Sequence, residues 1–324
     1  MSNDPASSWR PTASLATLRL RAQLLQRARD YFSATGALEV ETPIMVRAAV
    51  TDVHLESLEV RLADGSPAGF LQTSPEYAMK RLLCADAPDV YQVARVFREG
   101  ERGRNHNPEF TMLEWYRLGI DHHGLMQDVE ALLRALLEPQ RPVGPTLHVT
   151  YASAFQAALG IDPLETEARE VAAALRRAGA DVPGSLLDDH DGLLDLAMAT
   201  LVAPGFATDR ITFLHDFPAS QAALARVHGP VASRFEAFWG PLELANGFHE
   251  LGDAAEQSRR FEADLAARRR RGQPERAPDA RFIAALAAGL PPCAGVALGF
   301  DRVVMVATGA SHIDEVVAFP AERA

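Results

Sequence analysis

A predicted β-hairpin in the first half of the chain constrains the fold most strongly. Residues 90–98 have the composition of a strand, a polar loop covers residues 99–108, and residues 109–117 form a second strand that can pair back on the first. Because side chains alternate along a strand, one face of the second strand should carry Phe110, Met112, Glu114 and Tyr116, and the same face of the first should carry Gln92, Ala94, Val96 and Arg98. A guanidinium and a carboxylate on one face suit a ligand with a phosphate at one end and an amine at the other.

Helices and short strands surround this hairpin. Apolar residues at helical spacing predict a helix over residues 15–33 that ends at Gly36, and a short strand at residues 38–41 follows before Pro43. Residues 58–62 and 70–72 predict a hairpin around an Asp64-Gly65 turn. A helix should begin at Thr73-Ser74-Pro75-Glu76, with a hydroxyl cap and proline at the first helical position.

The second half of the chain begins with a different composition. Residues 139–217 are rich in Ala and Leu and predict a helical insertion. A strand at 242–251, a charged helix at 254–271, a small-residue strand at 294–299 and a helix from Asp301 that Gly309 can end follow it. These elements predict an α+β fold built on a mostly antiparallel sheet flanked by helices.

The strand at 242–251 supplies further candidate site residues. Asn246, Phe248 and Glu250 share one face, and Glu243 joins them only if a bulge falls near Gly247. Glu250 is then a candidate to hold a cationic side chain together with Glu114. Glu243 is a candidate Mg²⁺ ligand, because that ion prefers hard oxygen ligands.

The end of the chain offers groups for binding phosphate. Gly295 and Gly299 allow the backbone to approach a ligand, and Arg302 lies in the first turn of the following helix. Taken singly, such residues have simpler explanations: Glu76 as a helix-capping acid, Arg98 and Glu114 as ion-pair residues and Phe110 as a core residue.

Composition excludes several classes of function. With 32 basic and 43 acidic residues the net charge is −11, the wrong sign for a surface that tracks a nucleic-acid backbone. The two cysteines, Cys84 and Cys293, support neither a disulfide framework nor a cysteine metal site, so we expect carboxylates to hold any metal. We interpret Lys80, the only lysine, as a compositional bias toward arginine.

Neither a membrane segment nor an export signal is recognisable in the sequence. No apolar run approaches the ~18 residues of a membrane helix, and the first residues lack a charged-then-apolar signal. The sequence therefore predicts a cytoplasmic protein.

Taken in order, these segments resemble the three signature motifs of the class II aminoacyl-tRNA synthetases, most closely the lysyl branch. The counterpart of motif 1 is GALEVETP at Gly36–Pro43, that of motif 2 is VFREGERGRNHNPEFTMLEWY at Val96–Tyr116, and that of motif 3 is GVALGFDR at Gly295–Arg302. Two more segments are similar to the lysyl branch: TSPEYAMKRLL at Thr73–Leu83 and ELANGFHEL at Glu243–Leu251.

The resemblance is strongest to short members of the lysyl branch. Only about fifteen residues precede the first predicted helix, so we expect no anticodon-binding OB domain and one catalytic domain over residues 1–324. Such members use ATP and Mg²⁺ to activate lysine or (R)-β-lysine as an adenylate and pass it to a lysine side chain of elongation factor P. The resemblance also implies a homodimer through the motif 1 region, and tRNA is not an expected partner.

The resemblance implies roles for the residues at the nucleotide end. Arg98 would bind the α-phosphate and Arg302, with His106, the outer phosphates, which makes Arg98 and Arg302 the catalytic residues. Phe110 would stack on adenine beside Asn107. The implied ATP site also includes Glu99, Gly100, Glu243, Leu244 and Gly299, and the implied metal ligands are Glu243 and Glu250.

A second set of residues would bind the amino acid. Glu76 would hold the amino group near the reacting carboxylate, and Glu114, Tyr116 and Glu250 the distal ammonium. The implied pocket also includes Ser74, Pro75, Asn246, Phe248 and Ala297. Because the lysyl branch usually has glycine where this chain has Ala297, the added methyl group would favour β-lysine by shape.

The sequence departs from the family after Arg98. The family commonly has Asn-Glu there, whereas this chain has Glu99-Gly100-Glu101, and Gly100 occupies the usual acid position. A glycine has no side chain to contact the adenine amino group, so we expect Glu99 or Glu101 to substitute.

Two other functions are compatible with the resemblance. A truncated lysyl-tRNA synthetase would charge free tRNA, which the acidic charge and the short N-terminal segment oppose. A non-catalytic regulatory subunit should have lost catalytic arginines or the metal carboxylate, yet Arg98, Glu243 and Arg302 are present.

Overall fold

The computed structural model describes residues 9–324; residues 1–8, part of the segment predicted to lack an export signal, lie outside the described residues. The helices are α1 Leu15–Ala34, α2 Glu76–Leu83, α3 His122–Leu137, α4 Tyr151–Leu159, α5 Ala168–Arg177, α6 His190–Ala197, α7 Ala254–Arg270, α8 Ala280–Gly289 and α9 Phe300–Thr308. The strands are β1 Leu38–Glu39, β2 Met45–Val46, β3 Glu59–Arg61, β4 Pro67–Leu71, β5 Val90–Phe97, β6 Glu109–Leu118, β7 Leu147–Thr150, β8 Ile211–Pro218, β9 Val227–His228, β10 Val231–Trp239, β11 Leu242–His249 and β12 Cys293–Gly299.

These elements form two compact units. The first contains the described residues up to Gly119 together with Leu251–Cys293 and Ala297–Ala324. The second contains Ile120–Glu250 and Ala294–Val296. The single domain over the whole chain stays a prediction.

The first unit contains the predicted central hairpin. Its strands lie in the order β1, β5, β6, β12, with β1 parallel to β5 and β5 antiparallel to β6. Beside them, β2 and β3 pair on either side of β4 in a separate antiparallel sheet. Helix α1 begins after Ser14, whose hydroxyl accepts a hydrogen bond from the Thr17 N–H (3.1 Å), and it buries Leu24, Ala28 and Phe32.

The start of α2 differs slightly from the sequence prediction. Pro75 is the N-cap residue and Glu76 the first helical residue, so the proline lies one position earlier than expected. The predicted hydroxyl cap is Ser74, whose Oγ accepts a hydrogen bond from the Glu76 N–H at 3.0 Å. This bond fixes Ser74 and Glu76 in adjacent positions at the helix start.

Helix α9 is tied to β6 by one buried carboxylate. Asp301 is 1% exposed, accepts a hydrogen bond from the Thr111 N–H at 2.7 Å and pairs with Arg21 at 2.5 Å. Gly309 ends the helix in the left-handed conformation (φ 72°), as the sequence predicts. The Asp301 bonds place the neighbouring Arg302 next to the hairpin.

The second unit is built on β11, β10, β8 and β7, with β9 pairing with β10. Its neighbouring strands are antiparallel except for β7 and β8, which are parallel. Helices α4, α5 and α6 share an apolar core with β8 and β10; its buried members include Tyr151, Phe155, Leu175, Leu193, Leu194, Phe217 and Phe238.

The segment 139–217 is therefore helical only in part, because β7 and all but the last residue of β8 lie within it. Strand β8 is almost entirely buried, and a continuous apolar strand cannot be told from a helix by periodicity. The α+β class with a mostly antiparallel sheet is confirmed. No helix within residues 9–324 combines the length and apolar character needed to span a membrane.

Candidate active site

The register of the β5–β6 hairpin confirms the predicted grouping of side chains. Gln92 lies opposite Glu114, Ala94 opposite Met112, and Val96 opposite Phe110. Opposed residues project to the same side of a sheet, so these pairs share one face. Ala94, Val96 and Met112 form a small apolar cluster against which Phe110 and Ala297 pack. The structure thus places two predicted site residues, Phe110 and Ala297, beside the same cluster.

Arg98 follows this face at the end of β5. Its guanidinium lies 5.1 Å from the centre of the Phe110 ring, and its Nη1 donates to Glu101 Oε1 at 3.3 Å. Its Nε is buried and has no hydrogen-bond partner among the described residues. A buried, unsatisfied guanidinium donor is costly, and a phosphate oxygen is the kind of acceptor that would satisfy it.

Arg302 contacts the loop between β5 and β6. Its Nη2 lies 2.7 Å from Nε2 of His106, and its Nε donates to the Asn105 carbonyl oxygen at 3.4 Å. Since arginine can only donate, Nε2 of His106 is the acceptor. The structure therefore brings together the two residues predicted to bind the outer phosphates.

The remaining loop residues are held by local bonds. Asn107 is buried, donates to the Glu109 carbonyl oxygen at 2.6 Å and accepts a bond from the Ala321 N–H at 3.1 Å. Gly100 has φ 78°, a left-handed conformation that side chains other than glycine rarely adopt. The turn thus accounts for the glycine at the position where the family has an acid.

Both acids beside Gly100 lie close to the Arg98 segment. The Glu99 N–H donates to the Glu56 carbonyl oxygen at 2.9 Å, and Glu101 is the carboxylate bound by Arg98. Substitution of either acid for the usual adenine contact stays a prediction.

Glu114 lies at the centre of a buried group of polar side chains. It is 2% exposed, and its two oxygens accept hydrogen bonds from the Ser74 and Tyr116 hydroxyls, each at 2.7 Å. Burial, followed by the negative charge of Glu76, raises the pKa of Glu114 to about 8, although the two hydroxyl bonds oppose the shift. Predicted neighbours Ser74, Glu76 and Tyr116 thus meet around one carboxylate.

Lys80 completes this group and was missed as a functional candidate. The side chain is fully buried, and its Nζ lies 2.5 Å from Glu76 Oε1. Its positive charge also lowers the pKa of Glu114, against the larger effect of burial. The group formed by Glu76, Glu114 and Lys80 contains two acids and one base. The sequence signal that could have singled out Lys80 is that it is the only lysine of the chain.

In the second unit, a bulge in β11 sets the direction of Glu243. Along β10, Ala237 pairs with Ala245 but Phe238 pairs with Glu243, so Leu244 is left without a partner. The sequence predicts a bulge near Gly247, whereas the bulge lies at Leu244. It still brings Glu243 onto the face that carries Asn246. Glu243 and Asn246 share the face of Glu236 and Phe238.

Gly247 is required for packing and not for a bulge. It pairs with Phe235, and a Cβ atom there would lie 2.5 Å from that ring. Such an overlap excludes any side chain without repacking.

Glu236 is a second candidate that the sequence did not reveal. Its side chain is only 12% exposed and pairs with Arg234 at 2.5 Å. Burial raises the pKa of Glu236; the charge of Arg234 opposes the shift and the negative charge of Glu243 adds to it. Two carboxylates that repel each other on one face form an oxygen donor set that suits a divalent cation such as Mg²⁺.

Glu250 is placed differently. It is 1% exposed, it forms an isolated bridge with Ala225, and its carbonyl oxygen accepts from Arg226 Nε at 2.9 Å. Glu250 as the second metal ligand beside Glu243 stays a prediction, and Glu236 is an additional candidate.

Asn246 and Phe248 lie between these acids. Asn246 Oδ1 accepts from Arg234 Nε at 3.2 Å, and the Phe248 ring lies 5.9 Å from the Arg234 guanidinium. Arg234 thus contacts three candidate site residues of the second unit: Glu236, Asn246 and Phe248.

Comparison with known proteins agrees with the motifs. The profile of tRNA synthetases class II (D, K and N) matches residues 5–323. The chain is 48% identical to the elongation factor P–(R)-β-lysine ligase of Vibrio cholerae, with 98% of this chain and 99% of that protein covered. It is 48% identical to the ligase of the same name from Klebsiella pneumoniae, with the same coverage, and 46% identical to that of Vibrio parahaemolyticus, with 97% and 98% covered. The chain therefore belongs to the class II aminoacyl-tRNA synthetases of the D, K and N type.

Proposed function

We propose that this protein is an ATP-dependent ligase that activates (R)-β-lysine, or lysine, as an adenylate and transfers it to a lysine side chain of elongation factor P. The observation that carries the proposal is the buried group around Glu114. Burial and the charge of Glu76 raise the pKa of Glu114, and a lysine-type ammonium bound beside it would favour its ionised form. The names of the relatives identify the same class of reaction.

In the first step the amino acid carboxylate attacks the α-phosphorus of ATP. A new carboxyl–phosphate bond forms, the bond between the α- and β-phosphates breaks, and pyrophosphate leaves. Arg98 stabilises the α-phosphate through the Nε that has no partner in the described structure, while Arg302 and His106 bind the outer phosphates. No protein nucleophile is needed, because positioning and charge neutralisation supply most of the rate.

Mg²⁺ would neutralise phosphate charge when it is bound. Glu236 and Glu243 are the residues that would hold it, since their carboxylates share one face of the β10–β11 pair. Arg234 holds one oxygen of Glu236 and orients that carboxylate.

The amino acid is oriented by its ammonium groups. Glu114 binds the distal ammonium, with Ser74 and Tyr116 holding its carboxylate in place. The family resemblance assigns Glu250 to the same ammonium. Glu76 binds the amino group near the reacting carboxylate, and Lys80 positions Glu76. The methyl group of Ala297, which packs against the same apolar cluster as Phe110, favours (R)-β-lysine by shape.

In the second step a lysine amine of elongation factor P attacks the adenylate carbonyl. An amide bond forms, the carboxyl–phosphate bond breaks, AMP leaves, and the attacking nitrogen loses one proton to solvent. The net charge of −11 argues against tRNA as the acceptor.

We also propose that the protein acts in the cytoplasm as a homodimer formed through the motif 1 region. In and next to this region Leu38, Ile44 and Met45 are 45–52% exposed. Large apolar side chains grouped at a surface are typical of a protein contact.

The experiment combines the purified protein with ATP, Mg²⁺, (R)-β-lysine and unmodified elongation factor P. Intact-mass spectrometry should show one added β-lysyl group, and a parallel reaction with total tRNA should give no ester. Modification of tRNA in place of the protein would contradict the proposal and support the tRNA-charging alternative. The Arg98→Ala variant is the negative control.

A further inference from the structure

A cluster of three histidines and one aspartate lies in the second unit outside the proposed active site. His122 and His123 occupy the first turn of α3, and His215 and Asp216 lie near the end of β8. The ring centres of His122 and His123 are 4.1 Å apart, and those of His123 and His215 5.6 Å. We refer to these four residues as the histidine cluster; the proposed function uses none of them.

The ring nitrogens of the cluster are poorly satisfied. His122 is 7% exposed, yet neither of its ring nitrogens has a hydrogen-bond partner among the described residues. His215 Nδ1 is likewise buried without a hydrogen bond, although it lies 3.1 Å from Asp216 Oδ2. A buried imidazole with two unsatisfied nitrogens is unfavourable unless a ligand occupies the space beside it.

The spacing of these atoms fits a shared metal ion. One ligand atom each from His122, His123 and Asp216 lies within 4.8 Å of the others, and His122 Nε2 is 3.6 Å from Asp216 Oδ1. This distance is long for a hydrogen bond. Bonds of ~2.0–2.1 Å in tetrahedral geometry place neighbouring ligand atoms about 3.4 Å apart, close to the observed separation. His123 is exposed, so its ring can rotate to complete the set.

The backbone at Asp216 directs its carboxylate toward the cluster. Asp216 has φ 60°, an uncommon conformation for a residue other than glycine. The register between β8 and β10 shifts beside it, because Phe217 pairs with Ala232 and His215 with Phe235. A bulge of this kind re-aims side chains, and here it allows consecutive residues, His215 and Asp216, to lie on the same side as α3.

We propose that His122, His123 and Asp216 form a binding site for Zn²⁺, with His215 supporting the Asp216 carboxylate. Two imidazoles and a carboxylate form a donor set typical of zinc and unlike the all-oxygen set of Glu236 and Glu243. The positive end of the α3 dipole disfavours a cation there. The carboxylates of Asp216 and of Asp121, the residue that caps α3, offset it. The metal would fix the start of α3 to the end of β8.

The test is a metal titration of the full chain after treatment with a chelator, without ATP or Mg²⁺. Co²⁺ is the probe, because a tetrahedral site with histidine ligands gives it a visible absorption band, and Zn²⁺ is then added in competition. We expect saturation at one equivalent, displacement by Zn²⁺, and at least ~10-fold weaker binding in His123→Gln and Asp216→Asn.

Two controls separate this site from other histidines and from the active site. His228→Gln removes an exposed histidine of the same unit, and Glu243→Gln removes the proposed Mg²⁺ ligand; both should bind Co²⁺ as the unmodified chain does. Zn²⁺ should also raise the melting temperature of the unmodified chain but not that of Asp216→Asn. The absence of saturable binding by the folded chain, or equal affinity in all variants, would overturn the proposal. Because His123 is exposed, its variant tests the site even if Asp216→Asn fails to fold.

Discussion

Glu114 in the first unit and Glu236 in the second are both buried acids, but their neighbours differ. Burial raises the pKa of each carboxyl. Glu114 is held by two neutral hydroxyls and lies near another acid, whereas Glu236 is bound directly by the Arg234 guanidinium and lies near Glu243. Hydroxyl donors leave the charge of Glu114 available to an incoming ammonium. Glu236 and Glu243, with Arg234 bound to Glu236, suit a metal ion.

The contrast shows that burial alone does not determine the role of a glutamate. Its hydrogen-bond donors and the sign of the nearest charges decide which cation it can bind. If the two sites are as different as their neighbours indicate, substitutions should affect amino acid binding and Mg²⁺ binding separately.

The largest effect is expected where the proposal places the ATP phosphates. Arg98→Ala removes the guanidinium whose Nε has no acceptor among the described residues. Loss of one positive charge positioned beside the reacting phosphate should lower the rate of pyrophosphate exchange by about 10²–10³-fold. The matched control is Arg95→Ala, which removes an exposed arginine of β5, the strand that Arg98 follows. Near-normal exchange by Arg98→Ala in a folded protein would refute its role.

Substitution of the second-unit acids should change the Mg²⁺ dependence. Glu236→Gln or Glu243→Gln removes one oxygen ligand charge, so the Mg²⁺ concentration for half-maximal exchange should rise by about 10–100-fold. Glu114→Gln should leave it unchanged, and Glu170→Gln, at an exposed position in α5, controls for surface charge. A large Mg²⁺ shift in Glu250→Gln but none in Glu236→Gln would restore the ligand pair implied by family resemblance.

Glu250→Gln should weaken amino acid binding and leave the Mg²⁺ dependence unchanged. The substitution removes the negative charge that the family resemblance assigns to the ammonium, which is worth about 1–3 kcal/mol for a charged hydrogen bond, or roughly 5- to 150-fold in KM. The KM for (R)-β-lysine is measured at saturating ATP and Mg²⁺. An unchanged KM would remove Glu250 from the amino acid site.

The smallest effect concerns stability. The pKa of Glu114 is raised in the folded protein. Its contribution to the free energy of unfolding is therefore fully present below the ordinary glutamate pKa and is lost as pH rises toward about 8. Glu114→Gln should therefore match the unmodified protein in acid and melt a few degrees higher above about pH 8. Thermal melts across this range test it, and a variant that is less stable at high pH would show that Glu114 is compensated by a cation already present.

The sequence predicted the hairpin site well because its information is local. Strand alternation grouped Phe110, Glu114 and Tyr116 correctly, since every residue of β6 from Glu109 to Tyr116 pairs in regular register. The direction of Glu243 depended on a bulge that alternation does not locate, because the extra residue, Leu244, differs in no obvious way from its neighbours.

Long-range pairings account for the other differences. Glu236 meets Glu243 only because β10 and β11 pair, and neither that pairing nor β8 was evident from periodicity. Lys80 is similar: its role follows from burial beside Glu76, which composition does not reveal. The roles of the site residues stay predictions until the substitutions above are measured.

The central claim is that this protein forms an adenylate with a lysine-type amino acid. Exchange of labelled pyrophosphate into ATP, measured in parallel with (R)-β-lysine, α-lysine and no amino acid, tests it most directly. We expect exchange that depends on the amino acid and is faster with (R)-β-lysine. If neither isomer stimulates exchange above the level without amino acid in a folded protein supplied with Mg²⁺, the claim is contradicted.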